Sequence, residues 1–314
     1  MASCTTVGLV SSLLRRPARA VPDAGGRGTH ASHENAEPTV GLLADPDRHA
    51  LRRLVERDPL VNAVLAARLD AVASLSPRRL GGSVVAVRDR DDALLAAAFH
   101  GGNLLPVAGD EEVWPVLGRR LAADARVCSS IVGPAAAVEA LWREVGPAWG
   151  PPRAVRERQP LLVLADPPED VDPDVRLVLP AELDAYVPAA AAMFTEELGI
   201  SPYRCAQVGD YRRRVAGLIR DGRALALFGA DGRVVFKADL GAISRHTCQV
   251  QGVWVTPELR GRGIATRALA AVLRHALSFA PTVSLYVNDF NTPARRLYDR
   301  LGMQQVDVLR TVLF

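Results

Sequence analysis

The chain has 314 residues, with 38 Lys and Arg against 35 Asp and Glu for a formal net charge of +3. Its length predicts two domains, and arginines dispersed among acids at so small a net charge argue against nucleic-acid binding. Apolar residues are 49% of the chain, ample for true cores, yet no run of ~18 apolar residues occurs, so neither a membrane-crossing helix nor a membrane partner is expected. Cys4, Cys128, Cys205 and Cys248 form no CxxC pair and the six histidines show no HExxH spacing, which predicts neither a disulfide framework nor a metal site. Isolated cysteines fit a reducing, cytoplasmic setting.

In chain order, residues 1–38 read as a disordered extension. Met1 to Gly28 is rich in Ala, Gly, Ser and Arg, with Asp23 its only acid, too polar and small to build a core. Its apolar stretch Val7–Leu14 is short and has no cationic region before it, unlike a signal peptide. Residues 39–164 read as an α/β domain. Its strands are Val40–Leu43, Ser83–Val87, Ala93–Phe99, Val127–Val132 and Gln159–Leu164; its helices are Arg48–Val55, Val61–Ala73, Glu111–Ala123 and Ala135–Val145. Residues 165–173, rich in Pro and Asp, read as a connector.

Residues 174–314 repeat that order. A strand at Val175–Leu179 precedes a helix over Glu182–Glu197, which Pro188 can interrupt, and a second helix at Tyr211–Arg220. Strands Arg223–Phe228 and Arg233–Leu240 flank Ala230-Asp231-Gly232, a good hairpin turn. The strand Gln249–Val255 then enters Arg260-Gly261-Arg262-Gly263-Ile264-Ala265-Thr266, after which Ile264, Ala268, Leu269, Val272 and Ala276 recur at helical spacing. Glycines let a backbone approach a ligand, a helix start aims unpaired amides and its positive dipole end at an anion, and arginines suit phosphate oxygens. The loop therefore predicts a pyrophosphate site, the alternative being an ordinary glycine turn with solvated arginines. A dinucleotide fold would need a third small residue where Thr266 stands and an acid on the strand Thr282–Val287; neither is present, and a Gly-Lys-Ser/Thr phosphate loop is absent. Beyond that strand, Thr292 and Pro293 fit a cap and first helical residue. Ala294, Leu297, Tyr298 and Leu301 keep helical spacing up to a stop at Gly302, and a strand Gln304–Leu313 closes the chain.

The spacing Arg-x-x-Gly-x-Ala at Arg260–Ala265, followed by the run from Asn291 through Tyr298 to Gly302-Met303, resembles the two signatures of the GNAT-type N-acetyltransferases over roughly Asp174 to Phe314. The resemblance implies an α/β fold with a mixed, mostly antiparallel sheet flanked by helices, preceded here by a smaller α/β domain of similar topology, in the manner of tandem acetyltransferases. It implies acetyl-CoA, or another acyl-CoA, as co-substrate and no metal. Arg260, Gly261, Arg262, Gly263, Ile264, Ala265 and Thr266 would hold the pyrophosphate, and backbone groups of Val253, Trp254 and Val255 the pantetheine arm, one N–H facing the thioester oxygen. Asn291 would bond cofactor or backbone, or simply cap its helix. Tyr298, a phenol of ordinary pKa ~10 and so protonated at neutral pH, would be the acid for the departing thiolate; packing on the helix's apolar face is the competing reading.

The base is where this chain departs from the family. Many relatives carry a glutamate on the strand entering the loop, and here that strand offers Gln249 and Gln251. Glu196, Glu197, His246 or a water chain are the substitutes. The expected activity is transfer of an acetyl group to a primary amine, on a small molecule or a protein, by direct attack in a ternary complex; a non-catalytic acyl-CoA-binding regulatory or scaffold protein is the alternative. In the first domain Arg143-Glu-Val-Gly146-Pro-Ala148 matches the loop pattern by letter but ends a helix-like run, so that domain is not expected to bind CoA.

Overall fold

Strands from both halves of the chain join edge to edge in a twelve-stranded sheet. The structure, a computed structural model, describes residues 38–205 and 208–314, so the expectation for the N-terminal extension lies almost wholly outside the described residues. The first half runs β1 (Thr39–Leu42), α1 (Arg48–Val55), α2 (Ala63–Ala71), α3 (Pro77–Leu80), β2 (Gly82–Arg88), β3 (Leu94–Gly101), β4 (Leu104–Val107), α4 (Val113–Ala122), β5 (Ser130–Pro134), α5 (Ala135–Trp149) and β6 (Ala154–Leu164). The second runs β7 (Arg176–Leu177), α6 (Leu183–Leu198), α7 (Pro202–Cys205), α8 (Val208–Arg220), β8 (Ala224–Phe228), β9 (Val234–Ile243), β10 (Cys248–Val255), α9 (Ile264–Ala276), β11 (Val283–Tyr286), α10 (Thr292–Arg300) and β12 (Gln304–Leu313).

The strand order is β1-β2-β3-β4-β5-β12-β6-β11-β10-β9-β8-β7. Exchanging each strand of one half for its counterpart in the other reverses the list, so the halves are two copies of one topology about a pseudo-twofold between β12 and β6. Each half gives its last strand to its partner. β12 pairs antiparallel with β5 (Leu309↔Pro134 to Leu313↔Ser130), and β6 pairs antiparallel with β11 (Val283↔Leu164 to Tyr286↔Leu161). Among the described residues only β4·β5 and β10·β11 are parallel. The halves therefore share one sheet rather than meeting as separate sheets.

Apolar faces cover that sheet on both sides. In the second half α9 packs Ala268, Leu269, Val272 and Leu273 on one face, and α6 and α8 bury Tyr186, Phe194 and Val215 on the other. Helix α6 runs unbroken through Pro188. The carbonyl that Pro188 cannot bond belongs to Asp184, and both residues are exposed, so water can take the freed acceptor while the buried face holds the helix. The four-residue β4 escapes a sequence reading because Leu-Leu-Pro-Val has no alternation and contains a residue that strands avoid. The connector 165–173 is strapped to α9: Arg267 Nε donates to Asp170 Oδ1 at 2.8 Å, and Arg274 donates to the carbonyls of Pro168 and Glu169. Among the described residues no helix is long and apolar enough to cross a membrane, and no group of three or more His, Cys, Asp or Glu could hold a metal ion.

Candidate active site

The site follows from two strands that part. β10 and β11 pair only at Cys248↔Val283 and Gln249↔Ser284. Beyond Gln249, β10 continues to Val255 with a register shift between Gln251 and Trp254, a bulge that turns a strand away from its neighbour. Between the diverging ends, the start of α9 and one side of α10 lies a groove of about 760 Å³. Of the predicted site residues, all except Arg262, Glu197 and the alternative base His246 line it.

At one end of the groove the loop supplies an anion cradle. Gly261 (φ 75°) and Gly263 (φ 80°) hold a left-handed backbone, and a Cβ at either would meet nothing within 4 Å. Glycine is thus demanded by conformation, and the space beside the chain is open to a ligand. Gly263 caps α9; the Thr266 amide donates to the Gly263 carbonyl at 3.1 Å, and the amides of Ile264 and Ala265 before it have no helical partner. This donor set fits a pyrophosphate. The two arginines differ. Arg260 turns back on the protein, donating from Nε to the Val255 carbonyl at 2.9 Å and from its terminal nitrogen to both Glu196 oxygens at 3.0 and 2.7 Å. Arg262 makes no ion pair among the described residues and does not line the groove. Val255 therefore has its carbonyl occupied, while the edge of β10 from Gln251 to Trp254 that faces away from β9 has no strand beside it.

Along α10, Asn291 rather than Thr292 is the cap: its Oδ1 accepts from the Ala294 amide at 3.3 Å. Thr292 and Pro293 form the first turn. Pro is accommodated there because first-turn amides lack a helical partner anyway. Tyr298 is buried, lines the groove, and its hydroxyl makes no hydrogen bond among the described residues. Burial, and then the nearby Glu197 carboxylate, push its pKa above the usual phenol value.

The acidic pair on α6 is split by the fold. Glu196 is committed: besides Arg260 it accepts from the Trp254 indole at 3.0 Å. Glu197, exposed at the end of α6 and outside the groove's lining, has its pKa raised by lost solvation despite the lowering influence of Arg156 and Lys237. Its charge in turn adds to the burial that raises Tyr298 and, on β11, Tyr286. His246 lies before β10, at the opposite end of that strand from Val255, beside Arg245; burial and then Arg245 lower its pKa. It is not brought to the groove. Gln249 is 0% exposed, and neither end of its amide finds a hydrogen-bond partner.

Sequence reasoning missed a buried charged group beneath the bulge. Lys237 pairs with Asp239, and the Tyr186 hydroxyl donates to the other Asp239 oxygen. A Cβ on Gly252 would come within 3.0 Å of both Lys237 Nζ and Asp239 Oδ2, so this pair backs the bulge directly. A signal was present: Lys237 is the single lysine of the chain, two residues from Asp239 in an apolar strand. Leu259, Arg296 and Arg300 also line the groove without having been singled out.

Residues 183–303 match the family model described as acetyltransferase (GNAT) family, and residues 82–186 match a domain of unknown function, DUF4081. No curated protein matches the chain in sequence. Several solved structures share its fold over 88% of its length. They include a GCN5-related N-acetyltransferase from Sphaerobacter thermophilus, 19% identical, with 95% of that chain covered and a TM-score of 0.55. An acetyltransferase from the GNAT family from Colwellia psychrerythraea is 13% identical, with 99% covered and a TM-score of 0.54. A tandem GNAT protein from the clavulanic acid biosynthesis pathway is 14% identical, with 98% covered and a TM-score of 0.51. At these identities the likeness is one of fold; the GNAT-family match itself covers residues 183–303 of the second half, which follows a first half of the same topology.

Proposed function

We propose that the chain is an acyl-CoA-dependent N-acyltransferase that moves an acetyl group from acetyl-CoA to a primary amine by direct attack. The observation that carries this reading is the groove itself, which joins an anion cradle at Gly261–Ala265 to an unbonded phenol at Tyr298. When bound, acetyl-CoA supplies the activated thioester. The first-turn amides of α9 hold its pyrophosphate, with Arg260 as a positive wall fixed by Glu196. The free edge of β10 from Val253 pairs with the pantetheine amides, and an amide there meets the charge that develops on the thioester oxygen. Glu197 takes the proton that the amine must lose: lost solvation holds its carboxyl above the usual range, which makes it a stronger base. Tyr298 returns a proton to the departing sulfur. The burial that raises the phenol also raises a thiolate leaving beside it, so donor and acceptor stay matched.

The test is release of CoA by purified protein from acetyl-CoA with a panel of spermidine, free amino acids, an aminoglycoside and peptides bearing a free N-terminus or a lysine. Acetylation of at least one amine, reduced in Tyr298→Phe without a large change in KM for acetyl-CoA, is expected. Acetyl-CoA binding by calorimetry with no amine acetylated would favour the non-catalytic scaffold. The glutamine at 249, where a strand carboxylate would otherwise serve, is the feature that keeps that reading in play.

A further inference from the structure

The carbonyl end of α6 needs partners, and they come from the other half of the chain. An α-helix leaves its last four carbonyls unbonded. Gly199 donates its amide to Thr195, one turn back. The last two acceptors of the helix, the Glu197 and Leu198 carbonyls, face β6. Arg156 donates to the Glu197 carbonyl at 2.6 Å, and Arg153 donates to the Leu198 carbonyl at 2.5 Å. Both guanidinium groups sit where the helix dipole is negative. Arg156 also lies 5.5 Å from the ring centre of Phe290, which is 71% exposed at the entry to α10. The same strand anchors that entry further: Gln159 donates to Asn288 Oδ1 at 3.0 Å, and the Asp289 amide donates to the Arg158 carbonyl at 3.0 Å. Thus β6, a first-half strand carried into the second half's sheet, ties down both walls of the groove's reacting end.

We propose that Arg156, supported by Arg153, is a positioning residue: it closes the end of α6 and holds the Glu197 carboxylate over the place where an acceptor amine meets the thioester. The first half would thereby serve the second half's chemistry without binding cofactor itself. This rests on the reading of Glu197 as the proton acceptor. The groups that face Glu197 are Arg156 from β6, Lys237 from β9, Tyr286 from β11 and Tyr298 from α10, with Glu196 beside it on α6. Removing the Arg156 charge takes away an influence that lowers Glu197, so its midpoint must move up.

The experiment uses the full chain labelled with [13C]glutamate, the Glu197 carboxyl resonance being the one lost in Glu197→Gln. In Arg156→Gln the midpoint of that resonance should rise by ~0.5–1 unit, whereas Arg156→Lys should keep it near the wild-type value. With an amine that the panel identifies, kcat should fall about 10- to 100-fold in Arg156→Gln at nearly constant KM for acetyl-CoA. The rising limb of its pH profile should move to higher pH, with partial recovery in Arg156→Lys. A midpoint and kcat that stay at wild-type values in Arg156→Gln overturn the proposal. If Arg156→Gln does not fold, Arg153→Gln at the more exposed contact decides: a several-fold loss of kcat supports the proposal and an unchanged kcat overturns it. Failure of the base assignment has its own signature: Glu197→Gln would retain the rising limb whatever Arg156 does.

Discussion

The two halves share a topology, and only one of them has left its central cleft open. In the second half α9 and α10 stand on either side of the groove. In the first, α4 and α5 close on each other through Leu117, Leu121, Val138, Leu141 and Val145 in one buried cluster. They come so near that a Cβ on Gly118 would lie 2.6 Å from the Glu144 Cβ. The loops differ as well. Gly261-Arg262-Gly263 enters α9, whereas Asp110-Glu111-Glu112 enters α4. Acids there suit a helix start but repel a phosphate. Ligand capacity in this architecture is thus set less by strand order than by what fills the space between two helices and by the charge of one loop.

If all turnover belongs to the second half, Glu197→Gln should remove it. A loss of about 10²- to 10⁴-fold in kcat, with KM for acetyl-CoA little changed, is the largest effect we expect. Residual turnover at a wild-type rate would place activity elsewhere. The same variant should be more heat-stable than the parent, and more so at pH 8 than at pH 5. Lost solvation raises the folded-state pKa of Glu197 above its unfolded value. Its ionised form therefore burdens the fold above that pKa, and below the unfolded pKa the burden is absent. Melting curves at the two pH values check the sign.

Opening the closed half should cost stability and yield no binding. Gly118→Leu drives a side chain into Glu144 and should destabilise the chain by about 1–3 kcal/mol, read by denaturant unfolding, with acetyl-CoA affinity by calorimetry unchanged. A gain in binding stoichiometry would break the comparison.

What was legible beforehand divides along the same line. The loop at 260–266, the α9 stripe and the Asn291–Tyr298 helix are local patterns, set by spacing within a few turns, and they were readable. The strand exchange was not, because β6 and β12 pair across some 150 residues and each alone reads as an ordinary buried strand. Glu196 and Glu197 were adjacent in sequence and indistinguishable. Only the fold gives one to Arg260 and Trp254 and leaves the other facing Tyr298. Arg153 and Arg156 carried no signal, since their partners are main-chain carbonyls of another segment. His246 looked eligible until its distance along β10 from Val255 was fixed.

Within the open half, the loop's glycines should matter more than its free arginine. Gly263→Ala keeps the open space but imposes a left-handed backbone on a residue with a Cβ, a strain of about 1–2 kcal/mol; lower thermal stability and a raised KM for acetyl-CoA are expected together. Arg262→Gln is the smallest change. Among the described residues its guanidinium has no ion-pair partner, and it does not line the groove, so it acts on a pyrophosphate only through water. Such an exposed interaction is worth a few tenths to about 1 kcal/mol and is screened by salt. KM for acetyl-CoA should rise a few-fold at low ionic strength, and the difference from wild type should vanish near 0.5 M NaCl. A large effect that survives salt would mean that Arg262 turns inward to contact the phosphates directly, and that the cradle is built from side chains as much as from amides.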